Sequence, residues 1–176
     1  MIKFNLDQGR LDKLKKAAER QLPGISFLFN NKQVVFADGK KTEVYLVSEE
    51  VYKVFKKASE NRAPYSLGFY FGEWGREIVF SFGALQEYVN KKDSKKVMIY
   101  PKAEQKFLFG RNLSVRKIWK YDEKIKKGDL VIVTTNKNEA LGFGDAEIDF
   151  SKIEDCSDET RAVNTKSEIG WYLRHN

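Results

Sequence analysis

The side chains able to do chemistry in this 176-residue chain are two single residues, one acidic cluster and one basic block. There is one histidine, His175, and one cysteine, Cys156. A lone cysteine cannot form an intramolecular disulfide, and one Cys with one His is too few for a Cys/His zinc cage. A Ser-His-Asp or Cys-His nucleophile would have to recruit a histidine one residue from the end of the sequence, where chains fray. Beside Arg174, His175 could touch a phosphate, although a frayed terminal histidine without a role is the simpler reading. Cys156 reads as a half-buried loop or core residue.

Asp145, Glu147 and Asp149 alternate, so on a strand they would share one side and could offer oxygen ligands to a divalent cation. A solvated acidic face explains them more simply. Gly142-Phe143-Gly144 falls inside an expected strand, not between a strand and a helix, which is the wrong context for cradling phosphate. Neither a P-loop nor a dinucleotide fingerprint occurs. The chain is therefore expected to have no catalytic residues, no metal and no cofactor.

The basic residues carry the stronger signal. The chain holds 32 Lys+Arg against 25 Asp+Glu, a net charge of +7, and the excess is uneven. Residues 1–94 have 16 basic and 12 acidic side chains, residues 95–127 have 11 and 3, and residues 128–176 have 5 and 10, for nets of +4, +8 and −5. Within the middle block Lys102 and Lys106 lie four apart on one helical face, beside the apolar pair Ala103 and Phe107. Arg111 follows Gly110. Arg116 and Lys120 share one side of an expected strand, with Ile118 interrupting it. Lys124, Lys126 and Lys127 extend the cluster. Cations beside a glycine turn suit RNA, because they neutralise phosphates while the glycine lets backbone N–H groups approach the ribose-phosphate chain. Phe109 or Trp119 could stack a splayed base, though each reads more readily as core. The alternative is a solvated lysine-rich face.

The elements that must position these residues form two halves. Seven polar residues, Asn90–Lys96, read as a linker between a domain over 1–93 and another over 95–176. In the first, Leu11, Leu14, Ala18 and Leu22 recur at helical spacing and Pro23-Gly24 ends the helix. Strands are expected over Ile25–Asn30, Gln33–Ala37 and Thr42–Val47, with Asp38-Gly39 as a hairpin signal. Ser48 should cap a helix presenting Val51, Val54, Phe55 and Ala58 on one face. Strands over Ser66–Phe71 and Arg76–Phe82 and a helix over Ala84–Val89 complete the domain. In the second, Lys96–Tyr100 is a strand and Pro101 opens a helix that Gly110 ends. Strands are expected over Leu113–Lys120, Leu130–Thr135, Ala140–Ile148 and Thr160–Lys166, then a helix capped by Ser167. The class is α+β: an antiparallel sheet with packed helices, followed by a mainly-β domain. No apolar run approaches the ~18 residues of a membrane span. A soluble intracellular protein is expected.

One family shares these letters. Pro101, Ala103-Glu104-Gln105, Phe107-Leu108 and Gly110, then Leu141-Gly142-Phe143-Gly144 and Ile169-Gly170, Tyr172, Arg174-His175, resemble the C-terminal domain of the Nip-seven family of large-subunit ribosome biogenesis factors. Tyr45, Val47-Ser48-Glu49, Ser66-Leu67-Gly68, Phe71-Gly72, Ala84-Leu85 and Tyr88 agree in the first domain. The chain departs from the family pattern with Tyr100-Pro101-Lys102 in place of Lys-Pro-Gly, with Arg111 directly after the glycine, and with Trp171 where Glu is usual.

The resemblance implies an N-terminal pre-PUA domain and a C-terminal PUA pseudo-barrel, with no enzymatic activity. It implies binding of single-stranded or uridine-rich pre-rRNA through the PUA domain, and action in pre-rRNA processing and large-subunit assembly. Implied partners are RNA, other ribosome assembly factors and the exosome, with no membrane; a monomer is expected. The short basic chain resembles archaeal members, which implies the cytoplasm; a eukaryotic member would be nuclear or nucleolar. The candidate RNA-binding residues are Lys102, Lys106, Gly110, Arg111, Arg116 and Lys120, joined by Arg161, Lys166 and Arg174 from the last strand and helix. Two other classes stay open: a protein adapter whose basic face meets an acidic partner, and an RNA-modifying enzyme, disfavoured because the first 90 or so residues carry no cofactor fingerprint and are few for a catalytic domain.

Overall fold

The computed structural model describes residues 3–58 and 67–170. Its backbone contacts divide the chain into two compact units, Met1–Ala84 and Leu85–Asn176.

The first unit is an antiparallel sheet in the order β1 (Lys3–Asn5), β2 (Gln33–Asp38), β3 (Thr42–Val47), β4 (Phe69–Trp74), β5 (Ile78–Phe80). Helix α1 (Gln8–Gln21) is capped by Asp7, whose carboxylate accepts from the Arg10 N–H at 2.9 Å. Leu14, Ala18 and Leu22 are fully buried, as the spacing predicts. The Arg10 guanidinium reaches both Asp38 oxygens at 2.8 and 2.9 Å and lies 4.3 Å over the Phe36 ring, fastening α1 to β2.

Three expectations fail in this unit. Ile25–Phe29 is a 3-10 helix, not a strand. Gly24 turns left-handed (φ 84°), and the Glu19 carboxylate accepts from the N–H groups of Gly24 and Ser26 at 2.7 and 2.8 Å. Those donors are thereby withdrawn from any ladder, and Ile25, Leu28 and Phe29 bury at helical spacing. Helix α2 (Glu49–Ala58), whose Val51 N–H donates to the Ser48 hydroxyl at 3.3 Å, turns a different face inward. Tyr52 and Phe55 pack on the core while Val51 and Val54 are exposed, because two aromatic rings bury more apolar area than two valines. Finally, β4 and β5 start two to three residues later than expected. The Ser81 hydroxyl accepts from the Ala84 N–H at 3.1 Å, so Phe82 enters helix α3 (Phe82–Lys91) and leaves the strand.

The second unit is a six-stranded, nearly closed barrel-like sheet. Its strands are β6 (Lys96–Ile99), β7 (Leu113–Ser114), β8 (Ile118–Tyr121), β9 (Leu130–Thr134), β10 (Ala140–Ala146) and β11 (Arg161–Glu168), ordered β7-β11-β10-β9-β6-β8. Only β6 and β9 run parallel. Val97, Ile99, Phe107, Val131, Val133, Phe150 and Val163 fill the interior.

The single strand expected over Leu113–Lys120 is in fact two. The N–H groups of Val115 and Arg116 donate to the carbonyls of Thr160 and Asp158, which bends Val115–Lys117 into a 3-10 turn. The chain thus leaves one edge of the sheet as β7 and joins the opposite edge as β8, nearly closing the barrel. Ser167 caps no helix; it lies in β11 opposite Phe143, and pairing continues to Glu168 opposite Gly142. Of the expected closing helix, residues 171–176 lie outside the described residues.

Candidate nucleic-acid interface

Helix α4 (Pro101–Leu108) begins with proline in its first turn, where a missing N–H costs nothing. Ala103 and Phe107 are buried one turn apart, which leaves Lys102 and Lys106 on the exposed side. Gly110 ends the helix in the left-handed region (φ 73°), its N–H donating to the Phe107 carbonyl at 2.8 Å. A Cβ here would find open space, with only Glu168 Oε1 near at 3.9 Å, so it is the backbone conformation that asks for glycine.

The loop after Gly110 is held from two sides. The Thr165 N–H donates to Asn112 Oδ1 at 3.0 Å and its hydroxyl to the Arg111 carbonyl at 3.2 Å. From the 3-10 turn, Lys117 Nζ donates to the Asn112 carbonyl at 3.0 Å. These contacts shape a groove of ≈ 940 Å³ lined by Gln105, Lys106, Phe109, Gly110, Arg111, Asn112 and Lys117. Among the described residues the lining holds three cations and no acid. Phe109 is 61% exposed on its wall.

Lys117 records the local field. Burial, first, and then the charges of Lys106, Arg116 and Arg111 push its ammonium below the ordinary 10.5, against the opposing pull of Glu159. A base whose folded pKa lies below its unfolded one costs the fold stability at every pH below the folded value, and the cost is relieved as pH rises through it toward 10.5. At neutral pH Lys117 is therefore held charged at the expense of stability. Lys117→Gln, which keeps a donor for the Asn112 carbonyl, should leave the melting temperature unchanged or raise it while weakening RNA binding severalfold. Thermal unfolding at pH 7 checks this, and a fall of more than a few degrees would count against it.

The structure gathers some of the sequence candidates and separates others. Lys106, Gly110 and Arg111 share the groove, and Gly110 also borders a second concavity of ≈ 400 Å³ with Thr165, Lys166, Ser167 and Glu168. Lys166 is the extra residue of a bulge between Phe143 and Gly144, and its amine meets Asp145 at 2.9 Å. Lys102 lies 5.7 Å over the Tyr100 ring. Arg116 is paired with Glu159, and Arg161 with Glu147 at 2.9 Å. Arg116 lies in the 3-10 turn and Lys120 in β8, so the two share no strand face, and Lys120 lines a separate hollow with Asp93, Asp122 and Glu123. Arg174 lies outside the described residues, as do Trp171 and His175.

Sequence reading passed over Lys117 and gave Asn112 no role. Lys117 neighbours the candidate Arg116, but its aim at Asn112 depends on the 3-10 turn, which its own letters do not announce. Phe109 and Trp119, expected as core, are 61% and 51% exposed. Phe109 follows the last buried turn of α4, and Trp119 stands on the edge strand β8. The acidic trio also has an account: Asp145 and Glu147 pair with Lys166 and Arg161 of β11, and Asp149 accepts from the Lys127 N–H at 2.9 Å.

Residues 95–176 match the UPF0113 PUA domain family. The 60S ribosome subunit biogenesis protein NIP7 homolog of Pongo abelii is 29% identical over 133 residues, covering 75% of this chain and 73% of that protein. The Saccharomyces cerevisiae NIP7 is 29% identical over 153 residues, covering 85% and 83%. A conserved PUA domain protein from Thermoplasma acidophilum superposes with a TM-score of 0.70 at 18% identity, covering 97% of this chain and 95% of that one. A hypothetical protein from Pyrococcus horikoshii gives 0.67 at 17%, covering 97% and 99%. At these identities the two structures speak for the fold, over nearly the whole length.

Proposed function

We propose that the chain is a NIP7-type, non-enzymatic RNA-binding factor in pre-rRNA processing and large-subunit biogenesis, a reading supported by its likeness to the NIP7 ribosome biogenesis proteins over three quarters or more of its length and by the UPF0113 PUA domain match over residues 95–176. The observation that carries the RNA reading is the groove beside Gly110: three cations, an exposed phenylalanine and, among the described residues, no acid in its lining. Cations neutralise the backbone and Phe109 stacks a base, a combination that tolerates sequence and suits a single strand, uridine-rich or otherwise. The mechanism is occupancy: a pre-rRNA segment is held and shielded while the domain over 1–93 docks a protein partner. The division into 1–93 and 95–176 is part of this proposal, supported by the family match that starts at residue 95.

Assembly factors and exosome subunits as partners, a monomeric state, and a cytoplasmic or nucleolar location follow from the same reading. Among the described residues no helix is long and apolar enough to cross a membrane. The exposed Val51 and Val54 on α2 favour a second reading, a protein adapter that touches RNA incidentally.

Titrating labelled oligouridine against salt separates the two. RNA binding through this groove should show log affinity falling linearly with log salt, with about −0.7 for each phosphate neutralised. An adapter would show no saturable oligonucleotide binding, and its pull-downs would survive nuclease.

A further inference from the structure

We infer that the groove beside Gly110 selects the phosphomonoester at the end of an RNA strand over the phosphodiesters within it. This rests on the RNA-binding reading above and adds which phosphate the groove takes.

The argument begins with charge. Lys106, Arg111 and Lys117 line the groove, and among the described residues no acid lines it with them. An interior phosphodiester brings one negative charge, whereas a terminal phosphomonoester brings close to two at pH 7 and three acceptor oxygens. The two ammonium groups and the guanidinium fork offer more donors than a diester's two free oxygens can accept.

The deficit of negative charge is already felt inside the protein. Lys117 is half-buried with its amine on the Asn112 carbonyl, and it holds its proton less firmly than an ordinary lysine because of burial and of Lys106 on α4, Arg111 on the loop and Arg116 beside it. Glu159 pulls the other way, and it is itself paired with Arg116. A dianion placed among these groups relieves more repulsion than a monoanion does. The groove is also held ready, since Asn112 is bonded to both Thr165 and Lys117, so little ordering is left for binding to cost. Phe109 on the wall gives the terminal base a ring to stack on.

The test uses the full chain and three short oligouridines with one internal label: a 5′-phosphate, a 3′-phosphate, or hydroxyls at both ends. One of the phosphorylated ends should bind about tenfold more tightly than the hydroxyl-ended strand, the scale of one added charge-assisted contact. Which end it is identifies the polarity of the bound strand. At pH 5.5 the preference should shrink severalfold, because the monoester takes up its second proton near pH 6 while the lysines and arginines stay charged. Lys117→Gln should erase the preference, and Lys152→Gln, an equal change of charge on an exposed residue outside the groove, should keep it. Equal affinity for all three strands would overturn the inference and leave the RNA-binding reading standing. No binding of any strand would remove both.

Discussion

A chain carrying Lys106→Gln, Arg111→Gln and Lys117→Gln together should bind oligouridine about a hundredfold more weakly at low salt, with the salt slope reduced by about 2. Each cation that meets a phosphate contributes roughly 0.7 to the slope and on the order of 1 kcal/mol to binding, and the three act on one strand in one groove. Lys106 and Arg111 are exposed and Lys117 loses an unfavourable charge, so the fold should survive, which circular dichroism can confirm. The grouping is what the experiment tests. Lys102, Arg116 and Arg161, changed together, remove the same formal charge but should lose far less affinity. Arg116 and Arg161 are already neutralised by Glu159 and Glu147, and Lys102 lies over Tyr100. Equal losses from the two triple variants would mean that diffuse positive charge, not this groove, binds the RNA.

Gly142→Ala should destabilise the second unit by about 3 kcal/mol or more, lowering its melting temperature by roughly 12 to 24 °C. A Cβ at 142 would stand 2.3 Å from the Ser167 carbonyl oxygen and 2.9 Å from the Glu168 Cα, with the Phe107 ring at 3.0 Å. Two of the three obstacles are backbone of β11, which is paired through Ser167 opposite Phe143 and cannot retreat without breaking the ladder. The third is the fully buried anchor of α4, so RNA affinity should fall as the groove loses its support. Gly75→Ala is the matched control: a Cβ there meets nothing within 4 Å, and the melting temperature should hold or rise slightly. A Gly142→Ala protein that melts like the parent would show that β11 does not pack as described.

Gly142-Phe143-Gly144 thus gains a purpose that phosphate binding could not supply. The sequence placed it inside a strand; the structure adds that β11 crosses both glycines at a distance no side chain permits. Much else was legible in advance. The α1 core, the Asp38-Gly39 hairpin region, the proline start and glycine end of α4, and the strands now β9 and β10 all follow from local signals: apolar period, turn chemistry and capping. The misreadings share a cause. Ile25–Phe29 has strand-forming letters, but a carboxylate six residues earlier in the chain from Ile25 takes the N–H groups around it. Leu113–Lys120 reads as one strand apart from Ile118 on its polar side, yet the carbonyls of Asp158 and Thr160 bend its middle. Both were decided by groups outside the segment.

The candidate site divides along the same line. Composition by itself determined that positive charge concentrates in residues 95–127, around one helix and one glycine, because formal charge depends on residue type alone. One histidine and one cysteine are likewise a matter of counting, and they are too few for a Cys/His metal cage. Which of those cations share a groove could only be decided in three dimensions. An ion pair needs two side chains within about 4 Å, and β10 and β11 bring Glu147 to Arg161 and Asp145 to Lys166 across 14 and 21 residues of chain. The turn at Val115–Lys117 sends Lys117 toward Asn112, while Lys120, beyond it on β8, lines a separate hollow. Charge is written residue by residue, but whether it is neutralised depends on distance, and distance belongs to the fold.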